Sequence, residues 1–329
     1  LIFGLLLTSC GMLFPAQDSG LESTRVALAI QQTSLAMNQS QGQQAQPPAV
    51  VQEQPAQQPT YTPYPTYTSQ VVEQPAAEEP VQTEEPEQEP EPAMSFDDWL
   101  EDVNILIYDD MWGDGEPMVV EDALDALGLG RNTTNVNDAM GHLMSNMNSA
   151  IEWDLIIIVA EDHDAISGEY FDLVGDELDR GTSIIIELWY IDNIASGRIQ
   201  PVMQRCGISF QKDWWRDAGT NLNEYLIYLL EPGDPLFSEP NLISMLIPYD
   251  IYWIFDVGDR VKLIPGSDAV LLAGTQPKEY SSYGVITECL DGRMIWQTFC
   301  SHDYKTQDMI NLWQNYIINT LKARYENLN

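Results

Sequence analysis

Three apolar runs in the second part of the chain predict buried strands. They lie at 104–108, 154–160 and 183–189, and each consists largely of isoleucine, leucine and other apolar residues. Continuous runs without polar alternation are typical of strands that are covered on both faces, as in parallel sheets. We therefore predict three parallel strands inside a folded domain.

Segments with helical periodicity separate these runs. At 119–127, 138–151 and 168–180, apolar side chains recur every three or four positions, as they do on one face of a helix. This alternation predicts a doubly wound α/β fold, with a mostly parallel sheet and helices on both of its faces.

The C-terminal third of the chain has a different pattern. Asp291 and Gly292 lie between two strand-like segments, and this dipeptide predicts a β-hairpin with a two-residue turn. A final amphipathic helix is predicted at 307–325. The fold therefore ends in a hairpin and a helix.

The cysteines of this region leave their bonding state open. Cys206, Cys289 and Cys300 show no spacing that is typical of a metal site. In the predicted hairpin Cys289 stands opposite Met294, so Cys289 and Cys300 are not a direct cross-strand pair.

The N-terminal part has no such periodicity. Residues 1–10 are mostly apolar and end in Leu-Thr-Ser-Cys10, which matches the lipobox of bacterial lipoproteins, where the Cys is diacylated. Because the segment begins with Leu and lacks a basic region, we interpret it as a truncated lipoprotein signal with lipidation at Cys10.

Residues 11–94 are rich in Gln, Pro and Glu, which is typical of a long disordered stalk. The folded domain is thus expected at 95–329.

Charge restricts the class of partner. The formal net charge is −37, and residues 95–329 carry 40 acidic but only 13 basic side chains. Such a field repels nucleic acid and anionic headgroups, and it favours cations or cationic partners. We expect no nucleic-acid partner, a membrane contact through the N-terminal lipid, and an extracytoplasmic location at the cell membrane.

Three motifs point to a known fold. Trp153-Asp154 opens an apolar strand, Gly181 joins a helix to the next strand, and a late strand that starts at Gly292 ends in His302-Asp303. Together they resemble the class I glutamine-amidotransferase-like fold, particularly its ThuA-like branch, over about 104–320. The resemblance implies an amidotransferase-like α/β domain.

One feature of that family is missing. Its amidotransferases place a Cys nucleophile at a sharp turn after the strand that corresponds to 183–189. Here this position reads Glu187-Leu188-Trp189-Tyr190, with neither Cys nor Ser. A nucleophile must lie within reach of its base, so the resemblance implies a domain without glutaminase activity, although His302 matches the family's His.

The carboxyl ends of the predicted strands carry the candidate chemistry, because ligands of open parallel sheets bind there. The candidate ligand-binding residues are Asp109, Asp110, Glu161, Asp162, His163, Glu187, Trp189, Tyr190, His302 and Asp303. Three interpretations remain open. The residues bind a divalent cation such as Ca²⁺ or Zn²⁺, they bind a sugar that stacks on the aromatic rings, or their acids simply cap helices.

A weaker metal motif begins at the first of these strand ends. Asp110, Asp114 and Glu121 follow the spacing of a calcium loop. However, Trp112 stands where an oxygen ligand is expected, and a strand rather than a helix precedes the motif.

These patterns favour a lipid-anchored cell-surface protein whose amidotransferase-like domain binds a ligand, such as a carbohydrate or a cation, without catalysis. Two alternatives remain. One is a metal-assisted extracellular hydrolase that uses His163, His302 and nearby carboxylates. The other is a structural protein of the cell envelope.

Overall fold

A computed structural model describes residues 94–110, 117–161, 168, 170–217, 221–244, 246–248 and 255–329. The signal and lipobox at 1–10, with Cys10, and the stalk up to residue 93 lie outside the described residues. No helix within the described ranges combines the length and the apolar character needed to cross a membrane.

In the described residues, ten strands form one mixed sheet. They are β1 Ile105–Asp109, β2 Thr133–Asn135, β3 Leu155–Ala160, β4 Ser183–Leu188, β5 Ile208–Arg216, β6 Tyr228–Leu229, β7 Phe255–Leu263, β8 Val270–Gly274, β9 Gly284–Cys289 and β10 Met294–Gln297. Their order is β2-β1-β3-β4-β10-β9-β7-β5, and β8 pairs with β9 and with β6.

The parallel half of the sheet contains the predicted strands. β1, β3 and β4 begin and end within one residue of the predicted bounds, and all their residues are buried. They run parallel to each other and to β2 and β10. The sequence pattern required cover on both faces, and the structure confirms it.

Helices cover both faces of the sheet. They are α1 Phe96–Leu100, α2 Val119–Ala126, α3 Met140–Met147, α4 Tyr170–Asp179, α5 Ile191–Ile194, α6 Ile199–Cys206 and α7 Thr306–Leu328. Helices α2 and α7 share one apolar core with alternate side chains of the strands, whereas α3, α4 and α6 share the core on the opposite face. The predicted α/β class, with its C-terminal helix, is confirmed.

The strand order reverses at β1, which lies between β2 and β3. Helix α2, which follows β1, packs on one face of the sheet, whereas α4, which follows β3, packs on the other. Connections that leave two neighbouring strands toward opposite faces open a crevice at their carboxyl ends. The fold therefore forms such a crevice beyond β1 and β3.

The antiparallel half is larger than the predicted hairpin. β9 and β10 form that hairpin, with Cys289 opposite Met294 as predicted, and Asp291 and Gly292 both have positive φ, as a primed two-residue turn requires. β5 and β7 also pair antiparallel. Their charged side chains interrupt the apolar pattern, so the sequence did not reveal these two strands.

A disulfide joins the two halves. Cys206 ends α6 and Cys289 ends β9, and the bond between them spans 83 positions of the chain. Cys300 is a buried free thiol.

Candidate functional site

The carboxyl ends of four strands bring the candidate residues together. Asp109 ends β1 and Asp110 follows it, Glu161 follows β3, and Glu187 lies near the end of β4. A short 3-10 turn after β10, Ser301–Asp303, brings the remaining residues to the same edge. We call the group the rim site, and its members are all buried: Asp109, Asp110, Glu161, Glu187, Ser301, His302 and Asp303.

Glu161 lies at the centre of the rim site. Its carboxylate accepts a hydrogen bond from the backbone N–H of Ser301 (2.9 Å) and contacts Nδ1 of His302 at 2.5 Å. Its own N–H donates to Asp110 Oδ1 across the crevice (2.7 Å). Burial raises the pKa of Glu161, but hydrogen bonds from Glu187 and His302 outweigh burial and hold this pKa below its usual value. Glu161 is therefore the ionised member of its pair with Glu187.

Glu187 is the neutral partner of Glu161. Its Oε1 accepts from Ser301 N (2.6 Å), and its Oε2 accepts from Ser301 Oγ (2.5 Å) and Gln297 Nε2 (2.7 Å). Burial, followed by the negative charge of Glu161, raises the pKa of Glu187 well above its usual value. The two carboxyl groups thus share one proton, as closely spaced buried carboxyls do.

Helix α7 holds the hydrogen-bond partners of Glu187 in place. Trp313 donates from Nε1 to Ser301 Oγ (3.0 Å), and Tyr316 donates its hydroxyl to Gln297 Oε1 (3.1 Å). The Ser301 hydroxyl also accepts from Gln297 Nε2 (2.9 Å) while it donates to Glu187. With one donor and two acceptor positions, this hydroxyl is saturated and serves to hold the site together.

His302 is oriented by its neighbours. Glu161 holds Nδ1, and Nε2 lies 3.9 Å from Asp303 Oδ1. A carboxylate bonded to one imidazole nitrogen fixes the ring and makes the other nitrogen more basic. The arrangement suits either proton transfer or metal coordination.

Cys300 belongs to the same group, although the sequence did not indicate it. A carboxylate oxygen of Glu161, Sγ of Cys300 and a ring nitrogen of His302 all lie within 4.8 Å of one another. Burial, and then the charges of Glu161 and other nearby carboxylates, raises the pKa of the Cys300 thiol well above its usual value. The signal that was missed is the Cys-x-His spacing at the end of a strand.

The two aromatic candidates are buried beside the site. Trp189 donates from Nε1 to the backbone carbonyl of Glu161 (2.6 Å). Its ring packs edge to face against Tyr190 at 5.3 Å, and both rings are buried. In the described structure they support the backbone of Glu161.

A small pocket opens onto the rim site. It has a volume of about 20 Å³, which is room for about one water molecule, and it is far smaller than a sugar ring. Its polar lining comes from Asp109, Glu161, Glu187, Ser301, His302 and the indole of Trp313, and its apolar lining from Pro117, Val119, Val120 and Val159.

Comparison with solved structures found a neighbour of similar fold. No family model and no curated protein matches the chain. The chain is similar in structure to a ThuA-like protein from Parabacteroides merdae ATCC 43184. The TM-score is 0.38 and the sequence identity 10%, over 66% of this chain and 89% of that protein.

Some of the predicted residues lie elsewhere. Asp114, Asp162 and His163 lie outside the described residues, so the calcium-loop motif and the second imidazole stay predictions. Glu121, on α2, accepts a hydrogen bond from Asn135 Nδ2 at 2.5 Å.

A second group of carboxyls lies on β7 and its neighbours. Asp259 is fully buried, its Oδ2 accepts from the backbone N–H of Asp192 (2.8 Å), and its Oδ1 has no hydrogen-bond partner among the described residues. Burial, together with the charges of Asp192, Asp256 and Asp213, raises the pKa of Asp259 to about 9. The native state therefore holds this proton at neutral pH.

Asp259→Asn is expected to stabilise the protein at neutral pH. An unfolded Asp titrates near 4, so the native state loses stability as the pH rises from about 4 toward 9. An amide cannot ionise, and its oxygen can still accept from Asp192. We expect a gain of roughly 3 kcal/mol at pH 7 and almost none at pH 4. Urea unfolding at pH 7 and pH 4 measures this gain in stability. An equal effect at both pH values would contradict a protonated Asp259 in the native state.

Proposed function

We propose that this protein is an exported lipoprotein that is anchored to the cell membrane at Cys10, with its α/β domain outside the cytoplasm. The lipobox at 7–10 supports the anchor. The disulfide between Cys206 and Cys289 gives independent support for the compartment, because disulfides persist in oxidising surroundings and are rare in the cytosol.

Mass spectrometry of the membrane fraction tests the anchor. We expect Cys10 to be the N-terminal residue and to carry the diacylglycerol, and we expect Cys10→Ser to release the protein from the membrane. An unmodified Cys10 behind retained residues 1–9 would refute the proposal.

For the domain we propose a non-catalytic binding role, with the ligand at the rim site. The observation that carries this proposal is the saturated hydrogen bonding around Glu187. Ser301, the hydroxyl nearest to the site's carboxyls, has each of its hydrogen-bonding positions occupied, and the segment after β4 offers neither Cys nor Ser. The remaining candidate nucleophile is the free thiol of Cys300, but burial raises the pKa of this thiol well above its usual value and disfavours the reactive thiolate. A preformed polar pocket without a reactive thiolate suits binding better than acyl transfer.

The geometry favours a cation over a carbohydrate as the ligand. The pocket at the rim site has room for about one water-sized group. The rings of Trp189 and Tyr190 are buried, so neither offers a face on which a sugar can stack. The formal charge of −37 attracts cations to the domain. The affinity for glycans is therefore compared with the affinity for cations in the same experiment.

Calorimetric titration with divalent cations and a glycan panel tests the binding role. We expect at least one ligand to bind the unaltered protein and to bind His302→Gln at least about tenfold more weakly, as loss of a supporting residue does in metal sites. His142→Gln is the matched control, because this side chain is exposed on α3, and its affinity should not change. Silence with every ligand would eliminate the binding role.

A hydrolase is the second candidate, because Glu161 orients His302 at 2.5 Å as a carboxylate orients a general base. Product release from chromogenic glycosides or peptides, lost in His302→Ala, would support this candidate. Without such turnover by the correctly folded protein, the binding role stands.

A further inference from the structure

Three different donor types converge in the rim site. Glu161 provides a carboxylate oxygen, Cys300 a sulfur and His302 an imidazole nitrogen, all within 4.8 Å of one another. Each of the three residues is buried. Ligand atoms of a tetrahedral zinc site lie roughly 3.3–3.8 Å apart, since metal–ligand bonds are about 2.0–2.3 Å long. The three donors can therefore reach one ion after small side-chain movements.

The donor set selects the kind of ion. Ca²⁺ and Mg²⁺ require shells of oxygen ligands, whereas sulfur and imidazole nitrogen suit Zn²⁺ and similar transition metals. Three protein ligands leave a fourth position, and the adjoining pocket has room for about one water molecule there.

The surroundings of the thiol favour a positive ion. The carboxyls of Glu161, Asp303 and Asp110 act on Cys300, together with the neutral acid Glu187. A buried carboxylate such as that of Glu161 is costly unless a cation offsets its charge.

Neighbouring contacts hold the ligands in place. The backbone N–H of Ser301 donates to the second carboxylate oxygen of Glu161 (2.9 Å), and Trp189 Nε1 holds the backbone carbonyl of the same residue (2.6 Å). Such outer contacts fix the orientation of ligands in metal sites.

We propose that Glu161, Cys300 and His302 bind Zn²⁺ or a similar divalent transition metal. The inference rests on the proposed binding role of the rim site and names its ligand. Binding breaks the S–H bond of Cys300, whose proton passes to water. The ion takes the place of the direct contact between Glu161 and His302 Nδ1, and the imidazole binds in its neutral form with its remaining proton on Nε2. The step requires no oxidant or reductant.

Cobalt substitution tests the proposal in the full-length chain. In a Cys10→Ser background Cys300 is the remaining thiol, because Cys206 and Cys289 form the disulfide. We expect one Co²⁺ or Zn²⁺ per chain after removal of bound metal and reloading, and a thiolate-to-cobalt charge-transfer band in the near ultraviolet.

Variants assign the ligands. Cys300→Ser should abolish the band, and Cys300→Ser and His302→Gln should each weaken metal binding by more than the roughly 10- to 100-fold that loss of an outer contact costs. His142→Gln should bind metal normally. If Cys300→Ser fails to fold, the cobalt spectrum of the background protein decides the question on its own.

The outcomes separate the two proposals. Absence of tight metal binding, or a band that persists in Cys300→Ser, overturns the metal site. If calcium or a glycan then binds in the calorimeter, the binding role survives without zinc. If no ligand binds, both proposals fall.

Discussion

Loss of the disulfide between Cys206 and Cys289 is expected to lower the free energy of unfolding by roughly 4 kcal/mol. The bond closes a loop across 83 positions, and so long a loop strongly restricts the unfolded chain. It also ties α6, on one face of the sheet, to the antiparallel strand β9. For a domain of this size, the loss corresponds to a fall in melting temperature of roughly 10 °C.

Thermal unfolding of the Cys206→Ala/Cys289→Ala double variant measures this effect. Both cysteines are buried, so alanine avoids the burial of a new polar group. Reducing agent should lower the melting temperature of the unaltered protein and leave that of the double variant unchanged. Equal melting temperatures for the two proteins in oxidising buffer would show that the bond contributes no stability.

The parallel half of the fold could be predicted because its information is local. β3 and β4 are continuous apolar runs, and a strand of this kind needs cover on both faces wherever it lies. The helices between the strands follow from apolar periodicity in the same way. Helix α3, Met140–Met147, is shorter than the predicted 138–151, and Asn148 forms its C-terminal cap.

The antiparallel half depends on information that no single segment contains. β5 includes Lys212 and Asp213, and β7 includes Asp259 and Arg260, so neither segment shows an apolar run. Their pairing joins segments far apart in the chain. The Cys206–Cys289 bond could not be predicted locally either, since it depends on how α6 packs near the end of β9.

The candidate site was predictable in part. Strand ends alone indicated Asp109, Asp110, Glu161 and Glu187, because the carboxyl ends of parallel strands share one edge. The roles of Ser301 and Cys300 depend on β10 lying next to β4, which places residues more than a hundred positions apart in contact. A local sequence pattern does not show that β10 lies next to β4.

Glu187→Ala is expected to lower the free energy of unfolding by roughly 4 kcal/mol. The substitution removes the acceptor of the Ser301 hydroxyl and of Gln297 Nε2. It also removes the neutral acid that donates to Glu161 and leaves a cavity where a fully buried side chain stood. Each buried polar group left without a partner costs about 1–3 kcal/mol.

Two variants separate the hydrogen-bond network from the mere loss of an acid. Glu187→Gln keeps the size and the neutral charge, so it should cost less, about 1–2 kcal/mol, for a single mismatched hydrogen bond. Glu326→Ala removes an exposed acid on α7 and should change stability by less than about 0.5 kcal/mol. Urea unfolding of the three variants gives the comparison. If Glu187→Ala is as stable as Glu326→Ala, the shared-proton pair does not hold this edge of the sheet together, and the rim site loses its structural basis.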